Sequence, residues 1–462
     1  FFCGIRMDDY DSLIEAVNTS FLLVMGILIF IMQAGFAFLE AGSVRAKNTT
    51  NIVIKNIMDA AIGALGYWIT GYAFGFGDED NGFISVKQFF LINTPEEEYV
   101  IYFVAYVFAL AASTIVSGAL AERAQLQAYI LFTAFMSMWI YPLVTHWVWN
   151  DAGWLNNLDY HDFAGSSVVH VVGGTAALVG ATILGPRHGR FENGKVNSIP
   201  GHSVVLLALG FFLLWFGFFA FNASSGGGIA GEDYSVGVAG RAVINTALAS
   251  GSGIMSTLII GKLGFSRPEI HFFGKEMKVV TIFGGYWSVN GAVNGGLTAM
   301  VAICAGCDTI EPWAAVVIGL ISGPVYLFFT RVALLFHIDD PVNAIAIHMF
   351  GGIWGTIAVA LFANNGRLDS IPNGGILYAW DGDSFIQLGI QAIGLAVIVA
   401  WTFVWAFLLF GGLRIAGLLR VSEEQETDGL DFIDGEPAYP MDPAILAAYA
   451  EDFSDTGSSH SN

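Results

Sequence analysis

Two histidines stand at the same place in a repeated pattern. An aspartate, seven further residues and a histidine run from Asp162 to His170 and again from Asp340 to His348, and a glycine pair follows each histidine after two residues. A neutral imidazole donates a hydrogen bond at one ring nitrogen and accepts one at the other, so it can bind a small polar solute or pass on a proton. The repeat makes both histidines candidate site residues.

The same pattern predicts how deep the histidines lie. Asp162 and Asp340 are N-cap candidates at the start of apolar segments, and Pro341 suits the first helical position. At about 1.5 Å per residue, each histidine lies about 12 Å into its helix. A lone histidine in a membrane helix is more often structural than functional, but two at matching depth favour a site. Because burial disfavours imidazolium, we expect a neutral pair that shares one N–H···N hydrogen bond.

A second group of candidate residues is aromatic. Phe108 and Phe221 lie within apolar helices, where phenylalanine usually serves packing. Trp149 lies at a helix end, where tryptophan is typical of the membrane interface, and Ser225 lies in a turn rich in serine and glycine. A tryptophan face beside hydroxyl groups at an acidic mouth suits a small cation through cation–π attraction.

Cysteine chemistry is not favoured. The chain has only Cys3, Cys304 and Cys307, too few for a disulfide framework. Cys304 and Cys307 have the spacing of a redox motif but lie beside an apolar run without a βαβ unit. The role of the three cysteines stays open, and we expect no metal and no cofactor.

The composition is that of a membrane protein. Of 462 residues, 55% are hydrophobic and only 12% are charged, about half the charge of a soluble domain. Glycines spread through apolar runs fit closely packed transmembrane helices better than an outer-membrane barrel. Disordered, coiled-coil and disulfide-rich secreted classes are excluded, and the lipid bilayer is the expected partner. The net charge of −21 gives no support for binding nucleic acid.

Windows of about 20 apolar residues, the length that crosses a bilayer core, predict eleven transmembrane helices. The predicted spans are 17–41, 51–76, 100–121, 127–149, 163–185, 202–223, 236–262, 278–304, 312–335, 341–363 and 384–411. The loops alternate between acidic stretches such as Asp78–Glu98 and basic ones such as Arg187–Lys195 and Lys262–Lys278. The positive-inside rule then places the N-terminus outside and the C-terminus in the cytoplasm. The chain divides into an extracellular segment (1–16), a transmembrane domain (17–411) and an acidic cytoplasmic tail (412–462).

The duplicated pattern implies two halves of five helices each. The two histidines are 178 residues apart, and the dipeptides Gly35-Phe36 and Gly217-Phe218 repeat at the similar offset of 182. Because five is odd, spans 6–10 run inverted relative to spans 1–5, with span 11 added. Many transporters use such a repeat to place a site at the midplane. The predicted fold class is an all-α polytopic membrane protein with an inverted five-helix repeat.

Several motifs in a fixed order carry a resemblance to a known family. They are Gly42–Asn48 after span 1, Gly118–Arg123 after span 3, Asp162–Gly165 with His170, Leu214–Asn222, and Asp339–Pro341 with His348. From about Ser20 to Tyr439 the chain resembles the ammonium transporter family (Amt/Mep/Rh), and its Amt branch more than its Rh branch.

The resemblance implies roles for seven residues. The expected roles are outer ammonium recruitment for Trp149 and Ser225, a stacked gate for Phe108 and Phe221, the acidic residue near the recruitment site for Asp162, and the twin-histidine centre of a hydrophobic pore for His170 and His348. The resemblance also implies a homotrimer in the plasma membrane, with methylammonium as a substrate analogue and without enzymatic catalysis. Ammonium is then expected to lose its proton and to cross as ammonia, with or without the proton.

Two positions depart from the family pattern. Phe218 stands where many relatives have Trp, and Ile433 stands where plant relatives have a regulatory Thr, so that phosphorylation switch is not expected here.

Two rival functions stay open. One is an ammonium sensor whose acidic tail signals to a regulatory partner. The other is a bis-histidine haem protein, since two midplane imidazoles can ligate iron.

Overall fold

The computed structural model describes residues 7–78, 81–231, 234, 236–263, 270–272, 275–277, 285–364, 374–434 and 436–439. Cys3, much of the Lys262–Lys278 loop and the tail beyond Tyr439 lie outside these residues, as does the side chain of Ile433.

The described chain is mostly helical. Its main helices, α1 to α11, are Met7–Ser43, Ala46–Phe76, Glu96–Leu120, Leu126–Trp149, Ser166–Leu184, Val204–Ser224, Val236–Leu263, Val289–Ile303, Pro312–Leu335, Ile345–Phe362 and Gly382–Ile415. Within the described residues, 10 helices are long and apolar enough to cross a membrane. The remaining helix, α8, has 15 residues, and the first residues of its predicted span, 278–304, are not described.

Short elements lie in the connections. Two antiparallel ribbons pair Phe191–Glu192 with Lys195–Val196, and Ile270–Phe272 with Lys275–Met277. Short helical turns lie at Phe89–Leu91, Asn156–Leu158 and Ile376–Ala379, and two more, Glu423–Asp428 and Asp431–Asp434, follow α11. The long helices are therefore the framework that positions any site.

Local chemistry sets the helix starts. Ser203 and Ser288 each accept a hydrogen bond from a backbone N–H three residues on, and these two serines cap α6 and α8. Asp381 and Ser384 form a capping box at the start of α11. The first helix begins at Met7 and not near residue 17, because its polar first residues lower the mean hydropathy without preventing helix formation.

Both histidines lie in stretches of π-helix. The first turns of α5, Ser166–Val171, contain His170, and the first turns of α10, Ile345–Phe350, contain His348. A π-helical turn inserts an extra residue per turn and is frequent at functional sites. The matched distortions place the two imidazoles in equivalent positions on two facing helices.

Glycines let the two histidine helices cross closely. A Cβ atom on Gly174 would overlap the backbone nitrogen of Met349, and a Cβ atom on Gly352 would overlap the carbonyl oxygen of Ser166. Small residues at a crossing allow this backbone approach in membrane proteins. The glycine pairs that follow the histidines therefore bring α5 and α10 into direct contact.

The helix α5 lies at the centre of the packing. It contacts α3, α10 and α11, while α1 runs along α6 and α7 packs between α8 and α9. Its residues are almost all buried within the protein. His170 is thus held in the most enclosed helix of the described chain, away from the lipid-facing surface.

Candidate functional site

The structure brings the two repeated histidines into direct contact. His170 Nδ1 and His348 Nδ1 are 3.2 Å apart, and the ring centroids are 5.2 Å apart with 27° between the planes. His170 is fully buried and His348 is 5% exposed. One shared proton between the two Nδ1 atoms satisfies both rings as a neutral pair.

This spacing does not suit a haem. Two imidazoles that ligate one metal from opposite sides each form a bond of about 2 Å, so their nitrogens would lie about 4 Å apart across the ion. The two Nδ1 atoms are closer than that, at 3.2 Å, and the stacked rings leave no room for a macrocycle between them. The haem hypothesis is therefore not supported by the geometry.

Aromatic rings continue from the histidine pair to the end of α4. Phe108 and Phe221 are stacked, with centroids 3.8 Å apart at 15°. Phe221 lies 5.9 Å from His170, and Trp149 packs edge-on against Phe108 at 5.7 Å. We call Trp149, Phe108, Phe221, His170 and His348 the ring array. Both phenylalanines are almost fully buried, so the array closes any path along it in this conformation.

Two further phenylalanines flank the histidines, one on each. Phe218 stacks on His170 with centroids 5.6 Å apart at 26°, and Phe36 lies 6.4 Å from His348. In the sequence, Phe36 and Phe218 stand out only as part of the repeated dipeptide, and Phe218 also as a departure from the family pattern. The signal that could have found them is the repeated Gly-Phe dipeptide itself, since repeated residues are expected near a repeated site.

The carboxylate of Asp162 is fully occupied by its own loop. Oδ1 accepts hydrogen bonds from the backbone N–H of Gly165 (3.0 Å) and Ser166 (2.8 Å). Oδ2 accepts from the N–H of Ser167 (2.7 Å) and Val168 (2.9 Å) and from the Ser167 hydroxyl (2.5 Å). The side chain is a cap that satisfies the first N–H groups of α5. All five of these hydrogen bonds come from residues 165–168.

The side chains of Trp149 and Ser225 each donate a hydrogen bond to a backbone oxygen. Trp149 Nε1 donates to the backbone oxygen of Asp162 (2.7 Å), which fixes the orientation of the indole ring. The hydroxyl of Ser225, the residue that follows the end of α6, donates to the backbone oxygen of Phe221 (3.0 Å). Both residues are only partly buried, so they lie where the ring array approaches the surface.

A cavity of about 720 Å³ lies among the ends of α1, α6 and α9 and the chain before α10. Arg187, Arg190, Tyr326 and Asp340 are among its lining residues. Asp340 Oδ2 accepts a hydrogen bond from the N–H of Ile345 (2.8 Å), so Asp340 also caps its helix. Burial raises the pKa of Asp340.

The neighbouring Asp339 anchors a buried ion-pair cluster. Its carboxylate contacts Arg187 at 2.7 Å and Arg190 at 3.2 Å, and Glu122 pairs with Arg187 at 3.2 Å and with Arg45 at 2.5 Å. Burial opposes ionisation, but the hydrogen bonds and charge of Arg187 hold the pKa of Asp339 well below its usual range. Asp339 therefore pairs with two arginines of the basic loop Arg187–Lys195, whereas Lys195 at the end of that loop is exposed.

The first part of the acidic tail docks on the same end of the subunit. Glu426 accepts a hydrogen bond from the N–H of His188 (2.6 Å) and pairs with Arg420 at 2.7 Å. Asp431 accepts a hydrogen bond from the N–H of Asn51 (2.8 Å). The tail is therefore ordered against the loops of its own chain as far as these residues.

His161 yields a pH-dependent prediction. Its Nε2 lies 3.1 Å from Asp308 Oδ1. Burial disfavours imidazolium, but the Asp308 carboxylate outweighs this effect and raises the pKa of His161. The pair thus contributes stability that is complete below about pH 6.5, the ordinary value for histidine, and is lost as the pH rises through the raised value. In melting curves, His161→Gln should lower the midpoint most in acid and least in alkali. A difference that does not vary with pH contradicts this assignment.

Comparisons with known proteins agree on one family. The profile of the Ammonium Transporter Family matches residues 20–273 and 276–439. Putative ammonium transporter 1 of Caenorhabditis elegans is 41% identical over 92% of this chain and 79% of its own length. Ammonium transporter 3 of Dictyostelium discoideum is 39% identical over 92% of this chain and 95% of its own.

The fold also matches a solved structure. A protein described as "Sensor Amt Protein" is 33% identical, covers 92% of this chain and 99% of its own, and superposes with a TM-score of 0.81. The profile match at residues 20–273 and 276–439 includes the helices that carry the ring array and the docked part of the tail. The chain therefore belongs to the Ammonium Transporter Family.

Proposed function

We propose that the chain is an ammonium transporter that captures ammonium at its outer mouth and conducts ammonia along the ring array. The observation that supports this most directly is the ring array itself, which runs from the partly exposed Trp149 to the buried histidine pair. Trp149 and Ser225 recruit the ion, and the Phe108–Phe221 stack is the gate. The family is one of transporters and not of enzymes, and the named relatives are ammonium transporters.

Deprotonation gives the selectivity in this proposal. Moving an intact cation to mid-bilayer costs several kcal/mol or more, whereas neutral ammonia pays much less. Potassium resembles ammonium in charge and size but has no proton to lose. Because the gate is closed by stacked rings, a ring must rotate for each passage. The proton either returns outside or follows through the histidine pair, and the test below separates the two.

The architecture we propose for this function has finer features. It has eleven spans, with α8 as the eighth, and an inverted repeat relates α1–α5 to α6–α10. The equivalent π-helical settings of the two histidines and the flanking Phe36 and Phe218 support the repeat. The positive-inside rule supports an extracellular N-terminal segment (1–16), a transmembrane domain (17–411) and a cytoplasmic tail (412–462). The assembly is a homotrimer in the plasma membrane.

Current recording tests the mechanism in a membrane that contains this chain alone. Ammonium, methylammonium and potassium are applied in turn, and uptake of labelled methylammonium is measured in parallel. Uptake with a matching inward current means that the proton follows the ammonia. Uptake without current means neutral passage. Potassium current as large as the ammonium current would contradict selection by deprotonation.

The tail supports a further prediction about regulation. Truncation after Arg420 removes Glu426 and Asp431, and with them the contacts that hold the tail against the loops at His188 and Asn51. We expect lower flux, although no residue of the ring array is touched. In mixed trimers, the flux should fall out of proportion to the number of truncated subunits. A strictly proportional loss, or no loss, would mean that the tail is passive.

A second candidate function is an ammonium sensor. The specific observation in its favour is the similarity to the solved structure described as a sensor, together with the described part of the acidic tail, which contacts the loops at His188 and Asn51. In that case, the tail offers a surface to a regulatory partner. Silence in both the current and the uptake assay, with an intact fold, would favour sensing over transport.

A further inference from the structure

A buried thiol completes the surroundings of the histidine pair. Cys304 follows the last turn of α8 and is fully buried. Its Sγ lies 3.9 Å from His170 Nε2, within the range of an N–H···S hydrogen bond. The same sulfur lies 3.1 Å from the backbone oxygen of Met300. Cys304 therefore contacts the ring nitrogen of His170 that faces away from His348.

The number of protons available determines which atom donates in each hydrogen bond from Met300 through Cys304 to the histidine pair. The Met300 oxygen can only accept, and it lies nearer to the sulfur (3.1 Å) than His170 Nε2 does (3.9 Å), so the single proton of the thiol points to Met300. The sulfur is left as an acceptor, and His170 Nε2 must carry a proton to donate to it. A neutral imidazole has one N–H, so His170 Nδ1 is bare and accepts from His348 Nδ1–H across 3.2 Å. His348 Nε2 is consequently the bare nitrogen of the pair.

We infer that Cys304 is a positioning residue that fixes the tautomers of the histidine pair. In the opposite arrangement, either the lone pairs of the sulfur face the lone pair of His170 Nε2, or the thiol proton turns from Met300 (3.1 Å) to Nε2 across the longer distance of 3.9 Å. Either way a hydrogen bond is lost or weakened. The thiol thus gives the pair a direction and leaves His348 Nε2 as the acceptor that a transported molecule meets. This inference rests on the proposed function, because it concerns the same histidine pair.

Cys307 supplies a matched control. It has the same side chain, is also fully buried and is also a free thiol. Its Sγ lies 3.7 Å from the backbone oxygen of Cys304, so its recorded contact is with the backbone. Any general effect of removing a buried thiol in this region should therefore occur in Cys307→Ala as well as in Cys304→Ala.

The direct test is solid-state NMR of the ¹⁵N-histidine-labelled full chain in lipid bilayers. Protonated and bare ring nitrogens differ in shift, and the signals among the nine histidines are assigned by their loss in His170→Gln and His348→Gln. We expect His170 to be protonated at Nε2 and His348 at Nδ1. In Cys304→Ala a mixture of both arrangements should appear, whereas Cys304→Ser and Cys307→Ala should keep the wild-type pattern. A wild-type His170 protonated at Nδ1, or no change in Cys304→Ala, overturns the inference.

Transport gives the second readout. Methylammonium uptake should fall about fivefold in Cys304→Ala, which corresponds to the loss of one ordinary hydrogen bond. Cys304→Ser, whose hydroxyl can both donate and accept, should recover most of the uptake, and Cys307→Ala should stay near wild type. If the wild type shows the expected tautomers but no uptake, the proposed transport fails and the tautomer assignment stands. If the wild type transports but its tautomers do not depend on Cys304, the reverse holds.

Discussion

Replacing either His170 or His348 by alanine should abolish ammonium uptake while the protein still folds and assembles. The Nδ1 atom of each histidine forms a hydrogen bond of 3.2 Å with the Nδ1 atom of the other. Removing one imidazole therefore leaves the other without the proton that the pair shares. The imidazole that remains lies among apolar rings and can no longer pass a proton to a second histidine. A loss of about 100-fold or more is the size expected when a proton-transfer group is removed.

The control for this experiment is another buried histidine. His146 is fully buried in α4, where its Nδ1 lies 3.1 Å from both the Ser85 hydroxyl and the Gly75 carbonyl oxygen. It has no place in the ring array. His146→Ala should lower thermal stability, but its flux per folded molecule should remain within a few-fold of wild type. If both ring-array variants keep wild-type flux and potassium exclusion, the histidine pair is not the conducting centre.

The histidine pair could be predicted from the sequence because a repeated pattern indicates which residues occupy equivalent positions in the two halves. Equivalent residues of an inverted repeat lie near each other when both lie at the midplane, where the two halves meet. Hydropathy also placed several helices well. The ninth, predicted at 312–335, is Pro312–Leu335 in the structure, and the fourth, predicted at 127–149, is Leu126–Trp149.

The π-helical turns could not be predicted. Apolar residues surround both His170 and His348, so the hydropathy pattern is nearly the same for a π-helical and an α-helical turn. Which of the two forms depends on packing partners such as the glycine crossings, and those contacts come from distant parts of the chain.

The predicted helix starts at 163 and 341 were too early. In each case the capping aspartate is followed by a loop before the helix begins at Ser166 or Ile345.

Cys304 shows a different limit of sequence reasoning. Its spacing to Cys307 directs attention to redox chemistry, whereas its partner in the structure is His170, which lies on another helix. No periodicity in one segment reports which residue of a distant segment it faces. Phe36 and Phe218 were within reach because their dipeptide repeats, but Cys304 has no repeated counterpart that would mark it.

The second large effect is expected at Asp162. The sequence suggests that Asp162→Asn keeps most of the cap, since asparagine is a good N-cap residue. The structure corrects this expectation, because both carboxylate oxygens accept hydrogen bonds, five in all. An amide in place of Oδ2 turns its NH₂ toward the N–H groups of Ser167 and Val168. Each buried donor left without a partner costs about 1–3 kcal/mol, so Asp162→Asn should lose transport and about 3 kcal/mol or more of stability.

Asp340, which has the same place in the second copy of the pattern, is the control for Asp162. Asp340 accepts at Oδ2 from Ile345, and its Oδ1 has no hydrogen-bond partner within the described chain. An asparagine there can keep its oxygen on Ile345 and place its NH₂ in the position of Oδ1. Asp340→Asn should therefore change the melting midpoint much less than Asp162→Asn does. Equal losses of stability would show that the number of accepted hydrogen bonds is not what matters.

Asp162→Glu separates the two duties that an acidic residue can have at this place. Glutamate keeps the negative charge near Trp149, but its longer side chain cannot hold both oxygens against the first N–H groups of α5. If Asp162 acts by attracting ammonium, Asp162→Glu should retain a good part of the uptake that Asp162→Asn loses. If it acts by shaping the start of α5 and, through its backbone oxygen, the orientation of Trp149 (2.7 Å), both variants should fail together. The hydrogen bonds lead us to expect the joint failure, with a lowered melting midpoint in both, measured on the same preparations as the uptake.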